Sequence, residues 1–375
     1  MPFPQTVPRL TEGAVTLRAH TPSDAGPALE QCLDPLSRQW TTVPLDYTYR
    51  DAQEFVSVVM PAGWDDDSEW SFAVEAEDGG VGRFAGTISL RNRGHGRAEI
   101  AYGSHPWVRG RGHMETALRL LLAWGFEERG LHSVAWLANQ GNWASRKLAW
   151  RLGFRVEGAP RRWLVHRGDL VDAWVGTLLD DDPRHPTTPW YDVPRLVGDG
   201  IVLRRLEERD ADRMVEACRD PATAGWIGAI PQPFTGADAV EYIAGREEQP
   251  ATGRGVSWAV ADAATDELVA HVDLFDVRRG AGAELGYWVH PARRGRGVAT
   301  AACRLAVRHA VVPEEDGGLG LPRVQAQVAV GNDASLRVAA NVGMTEQGRR
   351  RRALRLGDGT LADAVLLDVL AEEVR

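Results

Sequence analysis

Cysteine is scarce in this chain. Its 375 residues include three, Cys32, Cys218 and Cys303, far apart and without a CxxC pair. That argues against a disulfide framework and against a structural zinc site. Long apolar runs are also missing. None approaches the ~18 residues of a membrane span, so no membrane partner is expected. Residues 1–10, "MPFPQTVPRL", lack a basic start followed by an apolar core. They do not read as a secretory leader, and a cytoplasmic location is the expectation. Positive charge is not in excess either. The net charge is −9, which sets nucleic acid aside as a partner. The one basic cluster, "GRRRRALR" (Gly348–Arg355), reads as a solvated hairpin. His271 and His290 have no ligand spacing around them and read as structural, so no metal is expected.

What is present is a long repeat. "VPRL" occurs at Val7–Leu10 and again at Val193–Leu196. At a shift of 186 residues Leu17 matches Leu203, Asp24 matches Asp210 and Trp40 matches Trp226. "AEIAYGSHP" (Ala98–Pro106) matches "AELGYWVHP" (Ala283–Pro291), and "GNWASRKLAWRLGF" from Gly141 matches "GNDASLRVAANVGM" from Gly331. A period this long belongs to whole domains, not to a solenoid of units of about 20–50 residues. The expected organisation is a domain over 1–180, an acidic, proline-rich linker over 181–194, and a second domain over 195–375.

Within the second copy, "GIVLRRL" alternates like a strand. "RDADRMVEACRD" has helical spacing with Asp210 as N-cap, and "DAVEYIAGREE" reads as a second helix. Two strands follow around a turn at Ala264–Glu267, then the strand "AELGYWVHP". The helix "VATAACRLAVRHAV", the strand "RVQAQVAV", the helix "ASLRVAANVG" and the strand "LADAVLLDVL" complete the order β-α-α-β-β-β-α-β-α-β. This is an α/β (α+β) domain with a mixed sheet.

Between that strand and the first of these later helices lies "ARRGRGVATAA" (Ala292–Ala302), with a near copy, "WVRGRGHMETA", at Trp107–Ala117. Free N–H groups at a helix N-terminus attract an anion. Gly295 and Gly297 remove the Cβ atoms that would keep a phosphate off the backbone, and Arg294 and Arg296 add charge. The turn therefore reads as a pyrophosphate cradle. It lacks the GK[ST] of a Walker loop and the third glycine of a dinucleotide fingerprint. Taken alone it reads equally well as a purely structural turn.

Arg294-Gly295-Arg296-Gly297-Val298-Ala299 resembles the acetyl-coenzyme A signature, Arg/Gln-x-x-Gly-x-Gly/Ala, of the GCN5-related N-acetyltransferases (GNAT). "YWVHPARRGRGVATAA" and "NDASLRVAANVGM" are most similar to the branch that includes the ribosomal-protein N-terminal acetyltransferases. The resemblance covers nearly the whole chain. It implies two tandem domains, each a mostly antiparallel sheet whose fourth and fifth strands splay apart. It implies acetyl-CoA as cofactor, with the pyrophosphate on the backbone of Arg294 through Ala299 and of Arg109, Gly110 and Gly112 in the first copy. The strand before the turn would be bulged, with an N–H of Trp288 or Val289 facing the thioester carbonyl. Asn332 and Ser335, and Asn142 in the first copy, would touch the cofactor, although an N-cap needs the same residue types.

Direct transfer within a ternary complex requires a base for the ammonium of the acceptor. Glu284 shares a strand face with Gly286 and Trp288 and is the candidate. Ser335 is the candidate acid for the leaving thiolate, because Ala339 stands where many relatives carry a tyrosine. The acceptor would be a primary amine of a small molecule or a peptide. In the first copy Met114 replaces the small last residue of the motif, and ten of the fourteen tryptophans fall there. That copy is expected to have lost the cofactor and to act as a support, with the working site in the second. The tandem would be a monomeric pseudo-dimer or a homodimer. The alternative reading is a non-catalytic acyl-CoA-binding sensor or scaffold of the same fold.

Overall fold

The computed structural model describes residues 7–374. The stretch read above as lacking a leader lies partly, over residues 1–6, outside them. The chain divides into two compact units. Unit 1 ends at Thr187 and unit 2 begins at Thr188, inside the acidic, proline-rich stretch.

Unit 2 is an eight-stranded sheet. Its spatial order is Leu196–Gly198, Ile201–Arg204, Gly255–Asp262, Leu268–Arg278, Gly282–Val289, Arg323–Ala329, Leu361–Leu370 and Thr345–Arg355. All neighbours are antiparallel except Gly282–Val289 and Arg323–Ala329. That parallel pair is joined only at Ala283–Val324 and Glu284–Gln325, and beyond Glu284 the two strands part. Alternation along the strands builds two cores. Trp258, Val260, Val272 and Leu285 pack with Cys303, Ala306 and Ala310 of the helix Val298–Val311. On the other face Ala259 and Leu268 pack with Met214, Cys218 and Ile243 of the helices Ala211–Arg219 and Gly236–Ala251.

Two features differ from the sequence pattern. Thr345–Arg355 is a long edge strand paired with Leu361–Leu370. Its arginines thus sit on the arm of a hairpin at the border of the sheet, where exposed charge discourages edge-to-edge pairing. Asp210 does occupy the N-cap, but its carboxylate does not cap the helix. It takes two bonds from Arg204, at 2.8 and 2.9 Å, and one from the Glu207 N–H.

Unit 1 repeats the architecture, an eight-stranded sheet with one parallel pair, Arg97–Ser104 beside Ser133–Asn139. An acidic stretch of this unit, "GWDDDSEW" (Gly63–Trp70), is tied into the fold. Asp67 accepts from Trp70 Nε1 at 2.8 Å and pairs with Arg129.

Candidate active site

The turn of unit 2 has the geometry of an anion cradle. Gly297 caps the helix Val298–Val311 in the left-handed region, at φ +78°, and Gly295 is at φ +70°. A Cβ built on either would meet nothing within 4 Å, so the backbone conformation, not crowding, requires glycine here. Among the described residues the N–H groups of Gly295 through Ala299 have no backbone acceptor. Arg294 departs from its expected role. Its guanidinium pairs with Asp220 and with the Thr223 hydroxyl, which also holds the Asp220 carboxyl below its usual range. Its side chain anchors the turn to the corner at Asp220-Pro221 and does not stand free for a phosphate. Arg296 is exposed beside the cradle, on a cleft of about 490 Å³ that also meets Arg304.

The expected bulge at Trp288 and Val289 is not there. Pairing with Leu268–Arg278 runs in step from Glu284 to Val289, and the irregularity falls between Phe275 and Arg278. Trp288 stacks on His271 directly opposite, 5.8 Å apart and 16° from parallel, which keeps the two strands in register. The His290 N–H donates to Val269 O at 2.9 Å across this edge. Alternation then puts the Trp288 N–H on the same edge and turns the Val289 N–H toward the split.

Asn332 is the N-cap of the helix Asp333–Asn341, its Oδ1 accepting from the Ser335 N–H at 3.2 Å. The Ser335 hydroxyl lies 2.7 Å from the Tyr287 hydroxyl. Burial pushes that phenol above its usual range. Tyr287 went unnoticed in the sequence, although "AYGSHP" and "GYWVHP" share it. His290 is structural, its ring accepting from the Ala292 N–H at 3.3 Å and meeting Glu216 at 3.0 Å.

On the other face of the motif strand, Glu284, Gly286 and Trp288 line a cavity of about 860 Å³. Opposite Glu284 in the ladder stands Phe275. A Cβ on Gly286 would stand 3.0 Å from that ring. Glu284 accepts from Gln327 Nε2 at 3.1 and 3.3 Å. Burial, the largest cause, pushes its carboxyl above the usual range, and the Gln327 bond opposes the rise. Farther in, Asp273 is buried and bonded to Arg246 and to Ser257, each at 2.7 Å. Asp273, Arg246 and, of the cavity's aromatic walls, Phe234, Tyr242 and Phe275 were not singled out from the sequence.

A family model described as "Acetyltransferase (GNAT) domain" matches residues 14–155 and 201–345. The chain belongs to the GNAT acetyltransferases. Among curated proteins it is similar to "Putative ribosomal N-acetyltransferase YdaF" of Bacillus subtilis (strain 168), 31% identical over 181 residues, which are 47% of this chain and 94% of that one. "Probable N-acetyltransferase YjcK" of the same organism is 32% identical over 115 residues, 30% of this chain and 60% of that one. Among solved structures, Mycobacterium smegmatis RimJ in complex with CoA-disulfide is 26% identical, covering 50% of this chain and 92% of that one at a TM-score of 0.44. Among the described residues no helix is long and apolar enough to cross a membrane, and no cluster of His, Cys, Asp and Glu could hold a metal ion.

Unit 1 of this GNAT chain keeps the scaffold and changes the site. Gly110 and Gly112 are again left-handed, at φ +75° and +79°. Arg109 again anchors the turn, to Asp34 at 2.6 Å and Ser37 at 3.2 Å. Asn142 again caps, accepting from the Ser145 N–H at 3.1 Å. Met114 turns inward, its Cε 3.1 Å from where a Cβ on Gly86 would be. It fills the core under the turn, not the phosphate side. Opposite Glu99, the counterpart of Glu284, stands Arg91. Glu99 is bound by Arg91 at 3.2 Å and by Arg93 at 2.7 Å. Trp136 occupies the position of Ala326. Its indole donates to Tyr102 at 3.2 Å and Ser145 at 3.0 Å, reaching across the split between the strands.

Proposed function

We propose that unit 2 moves an acetyl group from acetyl-CoA to a primary amine. The observation that carries this is Glu284: a half-buried carboxylate on a cavity wall, with a phenylalanine opposite and one amide as its hydrogen-bond partner. Its counterpart Glu99 is held by two arginines and has no such freedom.

The residues fit the cofactor. The free amides of Gly295 through Ala299 suit a pyrophosphate, and open space lies where a Cβ would otherwise project. The parted strands leave a slot for an extended arm, with Ala326 keeping it clear and Asn332 at its end. When bound, acetyl-CoA supplies the acetyl group as a thioester. Glu284 takes a proton from the acceptor ammonium, so that the nitrogen lone pair becomes available. Its elevated pKa makes it a better match for that proton than an ordinary carboxylate. The Val289 N–H is the donor on the slot side of the strand. Ser335, backed by Tyr287, gives a proton to the sulfur that leaves.

Unit 1 is read as a supporting domain without cofactor. Trp136 stands in its slot, and Glu99 is neutralised. We read the whole chain as a domain over 1–180, a linker over 181–194 and a second domain over 195–375.

The test is Glu284→Gln in the full chain. Turnover, followed as free thiol released from acetyl-CoA, should fall about 10²–10⁴-fold, the range for a lost general base. The dissociation constant of coenzyme A should not move. Unchanged turnover would remove Glu284 from the reaction.

A further inference from the structure

The cavity above Glu284 has more structure than proton transfer needs. Seven of its lining residues are aromatic or imidazole: Tyr287 of the proposed proton relay, and Trp226, Phe234, Tyr242, His271, Phe275 and Trp288. They are ordered against one another. Trp288 lies flat on His271, and Tyr242 meets the same imidazole edge-on at 5.7 Å. Burial lowers the His271 pKa to about 3, so the ring is neutral and the wall presents uncharged π faces. This wall is not part of the common scaffold. In unit 1 the residues in register with His271, Phe275 and Trp288 are Thr87, Arg91 and Gly103.

The cavity is also walled by a loop. The segment after the Asp220-Pro221 corner, Trp226 to Phe234, crosses it and touches the end of the strand Thr345–Arg355. A Cβ on Gly228 would stand 2.2 Å from Arg355 O, and the Gly357 N–H donates to Gly225 O at 3.0 Å. The loop helps bound a space of about 860 Å³, the scale of a small-molecule site. Four carboxylates line the space, Asp238, Glu241, Asp273 and Glu284, against two arginines, Arg246 and Arg355. Arg246 is already paired with Asp273. The charge balance therefore favours a cation.

We infer that the acceptor is a small primary amine carrying an aromatic group, its ammonium at Glu284 and its ring against Trp288, Phe275 and His271. This rests on the acetyl-transfer reading above. A ring seated between aromatic faces buries its whole apolar surface and adds the offset or edge-to-face preference of aromatic pairs.

The test compares tryptamine and phenethylamine with spermidine and an uncharged-side-chain tripeptide. Each is titrated calorimetrically into the full chain, alone and saturated with coenzyme A, and each is assayed for thiol release from acetyl-CoA. The aryl amines should bind, and their kcat/KM should exceed those of the other two by about 30-fold, the scale of one buried ring. Trp288→Leu should cost the aryl amines about ten-fold in binding and leave spermidine unchanged. Tyr242→Leu should do the same, and it serves if Trp288→Leu fails to fold. A tripeptide or spermidine preferred over the aryl amines, with turnover intact, would overturn this inference and leave acetyl transfer standing. Aryl amines that bind but release no thiol would keep the cavity as an aryl-amine site and sink the transfer reading, and with it their role as acceptor. Aryl amines that neither bind nor react would overturn it.

Discussion

Gln327 gives the sharpest handle on the base. Its amide donates to both oxygens of Glu284, at 3.1 and 3.3 Å. Leucine occupies the corresponding position in unit 1, at Leu137, so Gln327→Leu is compatible with the fold. The substitution removes a donor that favours the carboxylate over the carboxylic acid. The bonds are long and the site is half-buried, so the low end of the range for a hydrogen bond to a charged group applies, about 1.5 kcal/mol. At about 1.4 kcal/mol per pKa unit, the Glu284 pKa should rise by about one unit. Burial already holds it above the usual glutamate value. The base works only when deprotonated. The acid limb of kcat/KM against pH should therefore move about one unit toward neutrality, with the plateau kept at high pH. Phe275→Arg copies Arg91 opposite Glu99 and should move the limb the other way, because a cation favours the carboxylate. The assay is thiol release from acetyl-CoA between pH 5 and 9. A limb that stays in place or moves down in Gln327→Leu, or a loss equal at every pH, would refute the assignment of Glu284.

Ala326→Trp, which copies Trp136, should abolish coenzyme A binding by calorimetry while unit 2 keeps its unfolding transition. Retained affinity would mean that the slot is not the cofactor's path. Gly297→Glu should also remove binding, because it puts a side chain at φ +78° and a carboxylate at the cradle. A surviving site would place the cofactor in unit 1. Arg294→Ala and Asp220→Ala should each raise the coenzyme A dissociation constant several-fold, and the double variant no further, since both cut one tether. Acid should destabilise the fold. His20 and His309 have pKa values lowered to about 4 and His271 to about 3, all by burial. Each is neutral when folded and protonates on unfolding, so their stability is complete above about pH 6.5 and is lost below it, by up to about 1.4 kcal/mol per pH unit each. His271→Leu should flatten the fall in melting temperature between pH 6.5 and 5. An equal fall in variant and wild type would refute this.

Much of this was legible in the residues, for identifiable reasons. The duplication announced two units, and 3.6- and 2-residue periods located the helix Val298–Val311 and the strand Leu361–Leu370 to the residue. Glycine spacing gave the cradle. The strand face carrying Glu284 also followed from period alone. What stayed hidden depends on contacts between distant segments. The cavity is assembled from the loop over 226–234, the helix Gly236–Ala251, three strands and the hairpin end at Leu354–Arg355. No local pattern joins them. The edge strand Thr345–Arg355 was obscured because almost all of it is solvated and two register shifts break its alternation. The tether was visible but unread: Asp-Pro stands at Asp34-Pro35 and at Asp220-Pro221, each matched to the arginine of its own turn. The Trp288–His271 pair replaced an expected bulge because a cross-strand stack favours regular register.

The tether also bears on ionic strength. In both units the arginine that leads the turn is committed to an aspartate. An anion on the proposed cradle would be left chiefly to backbone amides and a helix end, whose dipoles act at contact distance. Salt screens separated charges over about 8 Å at physiological strength, but it screens a phosphate seated on N–H groups far less. Arg296 is the arginine of the turn that lies exposed on the cleft. If unit 2 holds coenzyme A as proposed, its affinity should fall with salt only by the share of the arginines at the rim of the cleft, Arg296 and Arg304, and persist where a cradle made of guanidinium groups would let go.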